Sequence, residues 1–361
     1  MTRNLFLDFT KGVLILLVTV GHSIQYIIYN NHGFWGDPLF KAIYIFHMPL
    51  FIGLSGFLSY PRLQKDELGK YLIGKLRAYI VPVFVWATIF SLGLVAVSRH
   101  NAITSLPAMV IREATSTSLW FLWALFGAIT VTALARKTGR YFYITYILSF
   151  FAVLLLPEKH EICLFKYLFP YFQIGYFCAA GRSGAFGHIS ELAKKYRLTL
   201  VVFMALLSIA CYQAWNEQTY IYVSKMSLAQ GNWGNIILRY TGGFTLSCVF
   251  LYGLNWAYKR LPQWPAQAMV SFGRGSVYIY ILQCYVFFVI ARFADRLSVP
   301  VQNLMIGSIL GVCLGTIIAY TCWLVGGGIA KNELLGRLLF GRGRLQTRPP
   351  DATSTADALL R

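Results

Sequence analysis

Apolar positions along this chain fall in long unbroken runs, not in the narrow stripes of a soluble amphipathic helix. Ten runs stand out, bounded by charges or by Gly, Pro and Asn clusters. They cover roughly 12–30, 39–60, 78–98, 118–135, 141–156, 162–181, 198–215, 236–256, 269–291 and 302–326. A helix needs about 20 residues to cross a hydrocarbon core of ~30 Å, so the pattern predicts an all-α bundle of about ten transmembrane helices. The fifth run is short and the sixth carries Lys166 and Pro170, so this pair fits the pattern least well. The first run is too long and too weakly flanked for a cleaved signal peptide, and a retained helix is expected.

The polar positions between the runs carry the orientation. With the N-terminus placed in the cytoplasm, inside segments hold 22 Lys and Arg, outside segments hold 6, and the remaining 4 lie within the runs. Basic residues favour the cytoplasmic side, so both termini are expected inside. No repeat period and no appended soluble domain is visible, and residues 1–341 read as one integral membrane domain. The stretch 342–361 is polar, contains Pro, and is expected to be a disordered cytoplasmic tail. The loop at 216–235 mixes Trp, Tyr, Gln and Asn. Two readings of it stay open, sugar binding and an aromatic belt at the membrane surface.

Composition agrees with a multi-pass membrane protein. The 361 residues are 57% hydrophobic and 12% charged, against about 25% charged in a soluble domain, and the mean hydropathy is +0.58. The net charge of +19 is better assigned to cytoplasmic loops and anionic lipid than to nucleic acid. The seven cysteines lie mostly in apolar runs without C-x-x-C or metal spacing. They read as small core residues, and no metal site is expected.

Candidate chemistry begins in the first run. From Gly12 to Gly36 there is no Asp, Glu, Lys or Arg, yet His22 sits in the middle and Lys11 at its mouth. Eleven residues at 100° each place Lys11 and His22 within 20° on one helix face, roughly 16 Å apart along the axis. Asp8 joins them at the cytoplasmic end. Either this is a polar track lining a cavity, or Lys11 snorkels and His22 bonds a neighbouring helix. The second run adds His47, with Pro49 freeing a backbone carbonyl and Ser55-Gly56 allowing close helix approach.

These residues carry a resemblance. "LDFTKGVLILLVTVGH" resembles the opening of the acyltransferase 3 family of membrane acyltransferases, an acidic residue three before a basic one and then histidine after ten more. "FHMPLFIGLSGFL" resembles the second-span motif of its fucose 4-O-acetylase-like branch. "KLRAYIVP", "SLWFLWALF" and "FGRGSVYIYILQ" are similar to three later motifs. The five run in order from residue 7 to 283. Two departures are Lys11 where arginine is commoner, which loses the planar fork, and Gln283 where histidine is frequent, which leaves hydrogen bonding as that residue's role.

The resemblance implies a bacterial inner-membrane enzyme that moves acetyl from cytoplasmic acetyl-CoA to a hydroxyl of a surface carbohydrate. It implies His22 as general base, and His47 as an orienting, oxyanion-stabilising or relay group. Asp8 would orient Lys11, and Lys11, Lys75 and Arg77 would meet the donor's phosphates. Ser55, Trp120, Phe121, Tyr280 and Gln283 would serve the acceptor side. Packing or interface roles for Ser55, Lys75, Arg77, Trp120, Phe121 and Tyr280 stay open beside these. A transporter or flippase for a lipid-linked sugar, and a non-catalytic partner in an envelope complex, are the rival functions. Neither the sugar, the hydroxyl nor the oligomeric state is legible.

Overall fold

The structure is a computed structural model that describes residues 4–65, 67–97, 105–115, 119–158, 162–181, 195–226, 231–292 and 303–342. The tail expected to be disordered lies, beyond Arg342, outside the described residues. Every regular element among the described residues is helical. In order they are α1 (Leu5–Ser23), α2 (Pro38–Lys65), α3 (Leu68–Val97), α4 (Leu106–Ala114), α5 (Trp120–Arg136), α6 (Phe142–Leu154) and α7 (Ile162–Ala180). Then come α8 (Arg197–Ala214), the single turn α9 (Ile221–Ser224), α10 (Trp233–Tyr258), α11 (Gln263–Arg274), α12 (Ser276–Arg292), α13 (Leu304–Ile329) and α14 (Glu333–Phe340).

Six helices are long and apolar enough to cross a membrane: α1 with its extension to Ile28, α2, α3, α8, α10 and α13. A seventh span is possible if α11 and α12 count together, and they are bent by 72°. The helices α5 and α6 are apolar but shorter, and α7 has 19 residues. Each of the ten apolar runs contains a helix. The ninth contains two, broken at Gly275. The amphipathic α4 and the terminal α14 were not expected. The outer surface is apolar: Ile144, Leu148, Leu198, Leu206, Ile309 and Ile317 are all more than half exposed, the reverse of a soluble protein and the pattern of lipid-facing helices.

Local signals start the first two helices. Asn4 caps α1, its side chain accepting from the Leu7 N–H at 3.3 Å, and Asp8 in the first turn suits the positive end of the helix dipole. After Ser23 the backbone widens into a π-helical turn, Ile24–Ile28, a feature frequent at functional sites. The reversal into α2 uses Asn30, Asn31 and Gly33 in the left-handed region, residue types that tolerate it. Asp37, fully buried, caps α2 by accepting from the N–H groups of Leu39 (2.9 Å) and Phe40 (2.8 Å). Its carboxylate also accepts from the hydroxyls of Tyr29 and, on α13, Ser308. Burial, and then the neighbouring Asp37 charge, push the Tyr29 hydroxyl up to about 12.

Glycine seams hold the bundle together. A Cβ on Gly12 of α1 would lie 1.8 Å from the Met269 carbonyl oxygen of α11, and one on Gly273 would lie 1.8 Å from that of Asp8. The same reciprocity joins α2 to α7, where Cβ atoms on Gly56 and Gly175 would lie 2.1 Å and 1.9 Å from the carbonyls of Phe172 and Gly53. On α13, Gly315 sits against Val20 of α1. Backbones touching through small residues are the usual way helices associate in lipid. Gly56 is thus accounted for by packing. The two seams fix α1 and α2, the helices that carry both histidines.

Candidate active site

The first cluster lies where α1 ends and α2 begins. His22 stands on the last turn of α1, two residues before the π-helical turn begins at Ile24. It is nearer the 29–37 reversal than the start of the helix. Its Nδ1 lies 3.1 Å from Oε1 of Gln283 on α12. Gln283 itself is fully buried. Edge-on rings flank the imidazole: Phe287 at 5.5 Å and Tyr26 at 5.8 Å. The ring therefore has one defined polar partner and aromatic walls that restrict its rotation.

His47 is buried one helix away, its Nδ1 2.7 Å from the Ile43 carbonyl oxygen. An Nδ1–H donating there leaves Nε2 with a lone pair. The two imidazoles are within electrostatic range of each other. Tyr44 fills the space between their helices. Its ring centroid is 4.8 Å from that of His47, and its edge crowds Gly21, where a Cβ would lie only 2.7 Å away. Tyr280 of α12, one turn before Gln283, accepts through its hydroxyl from the Phe121 N–H at 3.2 Å. Four helices, α1, α2, α5 and α12, thus bring His22, His47, Phe121, Tyr280 and Gln283 together. Trp120 lies beside Phe121, ring to ring at 5.8 Å.

The second cluster lies at the opposite end of α1. Lys11 Nζ is 2.7 Å from Asp8 Oδ1, and Arg274 Nε is 3.8 Å from Asp8 Oδ2. Arg274 was not singled out in the sequence, although the Gly-Arg-Gly at 273–275 marks the α11–α12 break that delivers it. Farther along the same end, Lys75 Nζ donates to the Tyr79 hydroxyl at 3.3 Å and sits 5.2 Å from the Tyr71 ring. Arg62 and Arg342 are within electrostatic range of the same hydroxyl. Gly341 in the left-handed region packs against the Ala78 carbonyl, and Trp86 Nε1 donates to the Leu339 carbonyl at 2.9 Å. These contacts bring Arg342 beside α3. Arg77 is exposed.

Ser55 is not brought to the histidines. It lies two turns along α2 from His47 and donates to the Phe51 carbonyl at 3.0 Å, the back-bonding that satisfies a hydroxyl inside an apolar helix. Among the described residues no group of three or more His, Cys, Asp or Glu is placed to hold a metal ion.

A protein-family model also matches this chain. The model, described as an acyltransferase domain, matches residues 4–325. The chain belongs to the acyltransferase 3 family. Curated relatives include the nodulation protein NolL of Mesorhizobium japonicum, 27% identical over 294 residues, covering 79% of this chain and 77% of that protein. NolL of Sinorhizobium fredii is 26% identical over 294 residues, covering 79% and 78%. No solved structure matches. As a member of this family the chain is a multi-pass membrane acyltransferase, and its chemistry needs an acyl donor and an acceptor.

Proposed function

We propose that this chain is a membrane O-acetyltransferase that takes acetyl from cytoplasmic acetyl-CoA and transfers it to a hydroxyl of a surface carbohydrate or its lipid-linked precursor. The observation that carries the reading is the His22–Gln283 pair beside His47. An amide oxygen facing Nδ1 accepts a hydrogen bond from Nδ1–H, which leaves the lone pair on Nε2. The carbohydrate hydroxyl gives its proton to His22 Nε2 while its oxygen attacks the thioester carbonyl carbon. Tyrosine hydroxyls around His47 donate to the charge that develops on the carbonyl oxygen, and His47, whose Nε2 keeps a lone pair, orients the acceptor by accepting from one of its hydroxyls. Collapse breaks the carbon–sulfur bond, and His22 returns the proton to the leaving thiolate. Ser55, bonded within its own helix, supports direct transfer over an acyl-serine.

The cationic end of α1 is the donor's entrance in this reading. Asp8 orients Lys11 and Arg274, and Lys75 and Arg77, with Arg62 and Arg342 as neighbours, face the donor's phosphates. Phe121, Trp120 and Tyr280 wall the acceptor side. The protein sits in the bacterial inner membrane with ten spans, α5, α6 and α7 among them, and both termini in the cytoplasm, so acetyl passes along the Lys11–His22 face. Residues 1–341 form one domain.

The test uses purified protein in detergent with acetyl-CoA and a set of methyl glycosides. Free thiol should appear only when a glycoside is present, with an acetylated glycoside in equal amount. Acetylation of none of them, with tight binding of a lipid-linked sugar, would favour a flippase instead.

A further inference from the structure

The sequence left open what the aromatic loop between α8 and α10 does. The geometry of its residues 216–226 gives an answer. This segment is a clip tied from beneath by one buried cation. Arg239, on α10 and 1% exposed, donates through its guanidinium to the carbonyls of Gln218, Thr219, Tyr220 and Lys225 and to the Ser224 hydroxyl. Glu158 secures the clip's end, accepting from the Met226 N–H at 3.2 Å while pairing with Lys166 at 2.6 Å. Asn216 and Thr219 cap each other at its start, and Lys225 turns through the left-handed region with φ 52°. Burying a guanidinium is costly unless its donors are met. Here they are met by the carbonyls of one loop, so the charge fixes that loop's path.

The path decides which side chains face where. Tyr220 turns inward against Trp35 (4.6 Å) and Trp215 (5.7 Å), and Ile221 is buried with it. Tyr222 alone of the three stays open, 47% exposed. Its ring centroid lies 6.4 Å from that of Tyr44, the ring that fills the space between the two histidine helices. Its hydroxyl is within electrostatic range of those of Tyr44 and Tyr280. A belt tyrosine would lie on the outside of a helix, facing lipid. This one stands against Tyr44, the ring next to His47 and Gly21, at the end of the bundle away from Lys11.

We propose that Tyr222 is the platform on which the acceptor's sugar ring rests, and that Arg239 is the residue that positions it. This inference rests on the acetyltransferase reading above and adds the acceptor's binding face to it. A pyranose has an apolar C–H face and a polar rim. Tyrosine offers an apolar ring with a polar tip, and it loses little conformational freedom on binding. A sugar laid on Tyr222 directs one rim hydroxyl towards His22 while the tyrosine hydroxyls meet its neighbours.

The experiment measures initial rates with acetyl-CoA and whichever methyl glycoside the wild type acetylates fastest. The variants are Tyr222→Ala, Tyr222→Phe, Arg239→Lys and, as a remote exposed control, Tyr196→Ala. In Tyr222→Ala the glycoside KM should rise about tenfold, with kcat within about twofold. Tyr222→Phe, which keeps the ring, should stay near wild type. Arg239→Lys keeps the charge but loses the fork, and should raise the glycoside KM without raising that for acetyl-CoA. Tyr196→Ala should change neither. A Tyr222→Ala glycoside KM within twofold of wild type overturns the assignment, as does a fall in kcat alone. Failure of the wild type on every glycoside removes the acetyltransferase reading first and this one with it.

Discussion

His22 is placed by a residue 261 positions away. Spacing along α1 aligned His22 with Lys11 but said nothing of Gln283, because the contact forms only when α12 packs beside α1. Arg274 escaped the sequence for the same reason: its carboxylate partner lies on the first helix. Arg239 sat in an apolar run with no local partner, and its acceptors lie in a loop that the sequence leaves without regular structure. His22 was legible as an unusual polar group in an apolar setting, its partner was not, and the two arginines stood only among the basic residues inside the apolar runs. Two outcomes follow at this scale. His22→Ala should lower kcat by about 10² to 10⁴-fold, as loss of a positioned base does, with membrane abundance and acetyl-CoA KM little changed. Gln283→Ala should lower kcat by a smaller factor, on the order of 10 to 10²-fold, because it removes only the group that fixes the ring's orientation. Single-turnover acetyl transfer separates the two from any effect on product release.

Elements were legible where their signal is local. Apolar runs gave each long helix its place, and Asn4 and Asp37 start α1 and α2 by rules readable in sequence. The break between α11 and α12 was hidden inside one continuous apolar run, since Gly-Arg-Gly is tolerated in a membrane helix until packing bends it. The glycine seams make element-scale expectations. Gly12→Ala and Gly273→Ala would each drive a methyl group into a backbone carbonyl 1.8 Å away. Both should lower the detergent melting temperature and cut activity, since the α1–α11 contact also sets Arg274 beside Asp8. Gly93→Ala on α3, with nothing within 4 Å, should leave both unchanged. Asp37→Ala should cost about 1–2 kcal/mol through the lost cap, and more through its bonds to Tyr29 and Ser308. Chemical denaturation in mixed micelles measures the difference.

For the whole molecule, charge asymmetry and the apolar exterior point the same way. Among the described residues, Arg274 stands beside Asp8 at the start of α1 and Arg62, Lys75 and Arg342 gather around Tyr79, while Tyr222 of the aromatic clip stands against Tyr44, between the two histidine helices. In the proposed arrangement an anionic donor enters at the first end and a neutral sugar at the second, so the two substrates never compete for one mouth. The arrangement requires both termini on the cytoplasmic side. Reporter fusions at residue 1 and after residue 342 should read the same compartment, and opposite readings would remove the ten-span topology.

The most direct test of the central claim is the transfer step itself. Purified wild type, His22→Ala and Lys11→Ala would be given acetyl-CoA and the preferred glycoside at matched protein concentration, and acetylated glycoside would be quantified by mass spectrometry. The account predicts transfer by the wild type, transfer slowed about 10² to 10⁴-fold in His22→Ala, and in Lys11→Ala a raised KM for acetyl-CoA with the glycoside KM unmoved. Full transfer by His22→Ala would contradict it and move the base to His47.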